Sequence, residues 1–238
     1  MTDLRAVLFD FGGTLYDYAT LESAERDSLT ELARWSGIDA DPRAIQRAHR
    51  DAMRRVFRSY LPQPFYRHRD LFRDAVIGML GAFGVDARPE HLERYRARQW
   101  ERHARAFELR DGVTDTLAAL RARGLHVGLV SNIDDDQLEH LLDLAGIRPM
   151  FDAVLSSERA GSCKPHRGIF DVAVQQAGCA PAQAAFVGDT VAQDIAGANA
   201  VGMCSVLLWH RKDREPPTDP PRPRHVIRRI PELLDLVG

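Results

Sequence analysis

Arg5-Ala6-Val7-Leu8-Phe9-Asp10-Phe11-Gly12-Gly13-Thr14-Leu15 is the stretch from which the fold is read. A short apolar run with an arginine in front and a carboxylate behind has the length and composition of a strand buried on both faces. The glycine pair that follows marks a tight turn, where the backbone needs conformations that a side chain would forbid. The strand at 5–10 therefore ends by presenting one acidic group at a turn. In open α/β sheets ligands sit beyond the carboxyl ends of the strands. What else the chain brings to such an end then becomes the question.

Past Asp111-Gly112 the pattern alternates. Helical spacing covers 113–123, 135–145, 167–177 and 194–201. Strand-like runs cover 126–130, 153–156, 184–187 and 205–209. Strands alternating with helices of this length predict a parallel sheet with helices on both faces. Residues 20–107 read differently. Leu21, Leu29, Leu32 and Ala33, then Leu71, Phe72, Ala75, Val76, Met79 and Leu80, recur at helical spacing. Breaks fall at 37–42, 61–64 and 84–89, which leaves about four helices and no strand. The expectation is a three-layer, Rossmann-like α/β core from 1–16 and 108–238, with an all-helical cap inserted at 17–107. The Pro- and charge-rich stretch 211–224 reads as an exposed loop, and 230–236 as a short closing helix.

Bulk properties narrow the function. The 238-residue chain carries a net charge of −2, so no global basic field points to nucleic acid. No apolar run approaches the roughly 18 residues of a membrane span, and no signal peptide is expected. Cys163, Cys179 and Cys204 have no metal-like spacing; free thiols in a reducing cytoplasm are the simplest reading. Cys163 beside Lys164 could be a thiol of lowered pKa. Of the 32 Lys and Arg residues only Lys164 and Lys212 are lysines, which makes Lys164 easy to single out.

The strand ends collect an unusual set of side chains. The first strand leads to Asp10 and the second to Ser131-Asn132. The third leads, after a loop, to Lys164-Pro165. The fourth leads to Gly188-Asp189, with Asp194 five residues on. Each has an ordinary alternative: a carboxylate or Ser-Asn pair at a strand end can cap the next helix, and a lysine is usually solvated. Together they place carboxylates, a hydroxyl and an ammonium at one sheet edge.

Leu8-Phe9-Asp10-Phe11-Gly12-Gly13-Thr14-Leu15, Ser131-Asn132, Lys164-Pro165 and Gly188-Asp189-Thr190-Val191-Ala192-Gln193-Asp194 resemble, in order, the four motifs of the haloacid dehalogenase superfamily. The resemblance spans the chain, with the helical block matching a cap inserted after the first motif. It implies a hydrolase, most readily a phosphoric monoester hydrolase acting on a small phosphorylated molecule as a monomer or homodimer. Asp10 would be the nucleophile, giving a covalent aspartyl intermediate that water hydrolyses. Mg²⁺ would be held by Asp10, the Gly12 backbone carbonyl, Asp189 and Asp194. Thr14, Ser131, Gly13 and Asn132 would contact the phosphoryl oxygens, and Lys164 would offset charge on the nucleophile and phosphoryl group.

One position departs from the pattern. Family phosphatases usually carry Asp two residues after the nucleophile as general acid and base; here it is Gly12. Such help is worth roughly 10²–10⁴-fold. A phosphatase could manage with a good leaving group or with another acid from Asp17, Tyr16 or His68. Carbon–halogen cleavage as in 2-haloacid dehalogenases needs no acid there, but that branch replaces the metal acids that this chain keeps. The phosphonate-cleaving branch needs a cap lysine, and 17–107 holds none. A binding or regulatory protein with degraded turnover is the non-enzyme alternative. A two-component receiver domain has its acids in another order. In the cap, the loop 61–68 and the flap 16–18 are the expected substrate contacts.

Overall fold

The computed structural model describes residues 3–211 and 213–237; Lys212 lies outside them. The chain divides into two compact units, residues 1–17 with 108–238, and residues 18–107. The first division falls one residue past the expected one, and the Asp17 side chain pairs with Arg110 of the same unit.

The larger unit is built on a six-stranded, all-parallel sheet. Its strands are β1 (Ala6–Phe9), β2 (His126–Ser131), β3 (Ala153–Ser156), β4 (Ala184–Gly188), β5 (Cys204–Leu208) and β6 (His225–Ile227), in the spatial order β3-β2-β1-β4-β5-β6. The central strand β1 is fully buried, as its unbroken apolar run requires. It pairs on both sides, Phe9 standing level with Leu129 of β2 and Val187 of β4. Chain order runs outward in one direction from β1 through β2 and β3, and in the other through β4, β5 and β6. The reversal lies between β1 and β4, where a doubly wound sheet opens its ligand crevice.

The helices of this unit are α5 (Val113–Ala122), α6 (Asp135–Ala145), α7 (Ser157–Ala160), α8 (Arg167–Ala177), α9 (Ala196–Val201) and α10 (Leu233–Leu236). On one side of the sheet, Leu8, Val130 and Phe186 pack with Ile169, Phe170 and Ala173 of α8 and Ala198 of α9. Gly197 allows the close approach: a Cβ there would lie 2.2 Å from the Phe170 ring. Helices α6, α7, α8 and α9 each end on a glycine of left-handed conformation, the usual αL stop.

Residues 18–107 form a unit of their own, with α1 (Glu22–Trp35), α2 (Pro42–Tyr60), α3 (His68–Gly81) and α4 (Pro89–Ala106). Helix α2 starts with Pro42 at its first position and the Asp41 carboxylate accepting from Arg43 N at 2.7 Å. Leu29, Leu32 and Ala33 of α1, Ile45 of α2, Val76, Met79 and Leu80 of α3, and Tyr95 of α4 close one apolar core. A polar cluster lies beside it. Glu25 accepts hydrogen bonds from Tyr95 Oη at 2.9 Å and Gln99 Nε2 at 2.5 Å, and His103 Nε2 lies 3.4 Å away. Among the described residues no helix is long and apolar enough to cross a membrane.

The structure departs from the sequence expectations in a few elements. Strand β6 was not anticipated, and it lies between the loop 211–224 and the closing helix. The helix expected from 194 begins instead as a π-type turn, Val191–Ile195, with α9 following.

Candidate active site

Asp10 follows β1 directly, its backbone N–H bonded to Val187 O at 2.9 Å, so its place is fixed by the sheet itself. The carboxylate is buried. Thr14 Oγ1 donates to Oδ2 at 2.9 Å and Lys164 Nζ to Oδ1 at 2.5 Å, with Ser131 Oγ at 3.5 Å from Oδ1, the long limit of a hydrogen bond. Lys164 Nζ also lies 2.8 Å from Asp194 Oδ1. Its side chain is 2% exposed and that of Asp194 0%. The ammonium thus sits between two carboxylates that come from strands on either side of the switch point.

Carboxylate oxygens of Asp10, Asp189 and Asp194 all lie within 4.8 Å of one another. Glycines make this approach possible. A Cβ on Gly13, whose φ is +84°, would lie 2.4 Å from Asp189 Oδ2, and a Cβ on Gly188 would lie 2.4 Å from Asp194 atoms. Asp194 is held from the backbone side: Thr190 donates to Oδ2 through its N–H at 2.9 Å and its hydroxyl at 2.5 Å. The π-type turn itself is closed by the Ile195 N–H bonding Thr190 O at 3.3 Å.

The electrostatics are unbalanced. Two unit charges at such a separation repel by about 3–4 kcal/mol at an effective dielectric constant of about 20. Three carboxylates here face one ammonium. Burial, together with the charges of Asp10 and Asp194, pushes the Asp189 carboxyl up to about 8, Lys164 only partly opposing this. Asp10 is also raised by burial, against the pull of Lys164. Burial would lower Lys164, but the carboxylates of Asp10 and Asp194 overcome it and hold the ammonium charged well above its ordinary range. Asp189 Oδ1 is buried and has no hydrogen-bond partner among the described residues. An oxygen-only donor set with surplus negative charge and an orphan carboxylate oxygen fits a hard divalent cation.

Of the residues singled out from sequence, Asp10, Thr14, Ser131, Lys164, Asp189 and Asp194 converge. Gly13 and Asn132 lie in the same loops and make further bonds of their own. The Asn132 amide bonds the Lys164 backbone, Oδ1 accepting from N at 2.7 Å and Nδ2 donating to O at 2.9 Å, with Gln193 Oε1 3.3 Å from Nδ2. The Asn132 side chain thus holds the lysine loop. The Gly13 carbonyl accepts from Arg110 Nη2 at 2.9 Å and Nε at 3.2 Å. Gly12 stays outside the left-handed region. The structure adds Thr190, Gln193 and Arg110. Thr190 stands four residues before Asp194, a capping spacing visible in the sequence. Arg110 is one of many arginines and carries no such signal.

The family described as haloacid dehalogenase-like hydrolase matches residues 4–202. The glyceraldehyde 3-phosphate phosphatase of Methanopyrus kandleri is 32% identical over 98% of this chain and 97% of its own length. The ribulose-1,5-bisphosphate 5-phosphatase of Halopiger xanaduensis is 28% identical over 98% of this chain and 99% of its own. Among solved structures, the magnesium-bound HAD-family protein YfnB of Bacillus subtilis superposes with a TM-score of 0.79 at 21% identity, covering 100% of both chains, a likeness of fold.

Proposed function

This chain belongs to the haloacid dehalogenase-like hydrolases, and from that membership we propose that it is a Mg²⁺-dependent phosphatase of small phosphorylated molecules, acting through an aspartyl-phosphate on Asp10. The observation that carries the reading is the trio of buried Asp10 and Asp194 with half-buried Asp189, their oxygens within 4.8 Å and the Lys164 ammonium against Asp10 and Asp194. Two full-length relatives are named for removing phosphate from small phosphorylated sugars or their derivatives, which supports the substrate class.

Asp10 attacks phosphorus through one carboxylate oxygen while the ester oxygen departs, and water then cleaves the acyl phosphate. Thr14 and Lys164 orient the nucleophile by bonding opposite oxygens of its carboxylate. Lys164 supplies a permanent positive charge beside the transferring group. Ser131 and the backbone at Gly13 would donate to the equatorial oxygens of the transferring group. Asp10, Asp189, Asp194 and the Gly12 carbonyl would hold Mg²⁺, which supplies charge neutralisation between nucleophile and phosphate when bound.

The dehalogenase alternative gives Asp189 no task, since halide leaves without a cation and a buried uncompensated acid is costly. A degraded binding protein has no reason to keep the pair of bonds from Thr190 to Asp194. The cysteines form no disulfide among the described residues, which fits a reducing, cytoplasmic setting. Phosphate release from aryl and sugar phosphates, with and without Mg²⁺, tests the reading. Activity unchanged in Asp10→Asn, or unaffected by chelator, would overturn it.

A further inference from the structure

We propose that Arg110 is a positioning residue for the phosphoryl-transfer site, acting through the Gly13 carbonyl; this rests on the phosphatase reading above.

A run of two glycines does not hold one conformation by itself, because glycine has the largest conformational freedom to lose. Yet the loop 11–14 must be held tightly. It runs against the Asp189 carboxylate with no room for a Cβ at Gly13, and its next residue, Thr14, donates to Asp10. Arg110 provides an external fixture. Nε and Nη2 converge on the Gly13 carbonyl at 3.2 and 2.9 Å, and Nη1 donates to Asp17 Oδ2 at 2.9 Å. The Arg110 backbone N–H bonds Leu15 O at 2.8 Å, and Tyr16 bridges to Leu109 in antiparallel fashion, so the arginine is itself anchored. The guanidinium side chain is 17% exposed.

In a trans peptide the C=O and the following N–H point in opposite directions. Pinning the Gly13 carbonyl toward Arg110 therefore aims the Thr14 N–H the other way and fixes where Thr14 begins. A guanidinium suits the task because its planar fork offers several donors in fixed relation; an ammonium at the same place is a point charge. Asp17 and Arg110 also flank the two places where the chain leaves and re-enters this unit. One side chain thereby joins the site loop to both chain crossings.

The test compares wild type with Arg110→Met and Arg110→Lys. The expected result is a fall in kcat of about tenfold to a hundredfold, with KM within about threefold. Amide hydrogen exchange in the metal-free protein should rise in residues 11–15 and stay unchanged in α8 and β5. Arg110→Lys, which keeps a positive charge beside Asp17, decides the question if Arg110→Met does not fold. Wild-type kcat in either folded variant overturns the proposal, as does a kcat loss with unaltered exchange at 11–15. If wild type releases no phosphate from any substrate, the phosphatase reading fails, and the exchange comparison still decides whether Arg110 fixes the loop.

Discussion

Asn132 grips Lys164 by both ends of its backbone, accepting from its N–H and donating to its carbonyl. The amide of one strand end thus sets the height of the ammonium that reaches Asp10 and Asp194. Asn132→Ala should leave the lysine charged but displaced, lowering kcat roughly a hundredfold, in line with an error of about 1 Å in a reacting constellation. Steady-state kinetics at saturating Mg²⁺ checks this. A kcat within threefold of wild type would show that Lys164 is held by something else.

Metal-free protein should lose stability as pH rises. The folded Asp189 carboxyl titrates at about 8, above its ordinary value of 3.8. Between these values the folded state holds a proton that the unfolded chain has released, so raising the pH favours unfolding across that window. Asp189→Asn should flatten the slope. In wild type, Mg²⁺ at 100 times its Kd should add about 2.7 kcal/mol, and in Asp189→Asn far less. Denaturant midpoints from pH 5 to 8, with and without Mg²⁺, measure both.

Gly13→Ala and Gly124→Ala separate strain from crowding. Both glycines have positive φ, at +84° and +77°, but a Cβ on Gly124 meets nothing within 4 Å. Gly124→Ala should cost about 1–2 kcal/mol of backbone strain and keep wild-type kcat. Gly13→Ala adds a 2.4 Å clash with the Asp189 carboxylate and should abolish activity. Equal activity in the two variants would contradict the close packing of loop against acid.

The helical unit should be sensitive to acid. Burial pushes the Glu25 carboxyl up, but hydrogen bonds from His103, Gln99 and Tyr95 and the charge of His49 outweigh it and leave the group below 4.5. Burial also depresses His49 below 6.5. Stability falls first as pH drops below 6.5, where the unfolded His49 gains a proton, and again below 4.5 as Glu25 protonates. Glu25→Gln should remove the second decline. In Asp189→Asn, where the opposing slope from Asp189 is removed, thermal melts from pH 7.5 to 4 read the two steps, and a flat profile over that range would refute the assignment.

The parallel sheet was legible because buried strands are unbroken apolar runs and each is followed by a helix-spaced segment. The helices at 22–35, 42–60, 68–81 and 89–106 were legible from apolar spacing and from Pro and Gly at the breaks. Strand β6 was not: His-Val-Ile is only three residues long amid arginines and prolines, too short for a periodic signal, and it pairs with Val206, Leu207 and Leu208 at the open edge of β5. The π-type turn was hidden because a single i→i+5 backbone bond, Ile195 N–H to Thr190 O, sets it, and apolar spacing does not encode that bond. Motif positions revealed the acids and the lysine. They could not reveal that the Asn132 amide also holds the Lys164 backbone, a contact between residues 32 apart in sequence. Arg110 was invisible because its role comes from the place where the chain re-enters the sheet unit, not from its neighbours in sequence.

The pairing of Tyr16 with Leu109 brings together residues that stand on either side of the inserted segment. Any replacement module whose ends lie a strand spacing apart, about 5 Å, could be spliced between them without stretching the host. The helices at 18–107 carry their own apolar core, so the architecture lends itself to exchanging inserts while the catalytic sheet is left untouched. Chimeras made at this junction offer a direct way to ask how much of substrate choice resides in the insert.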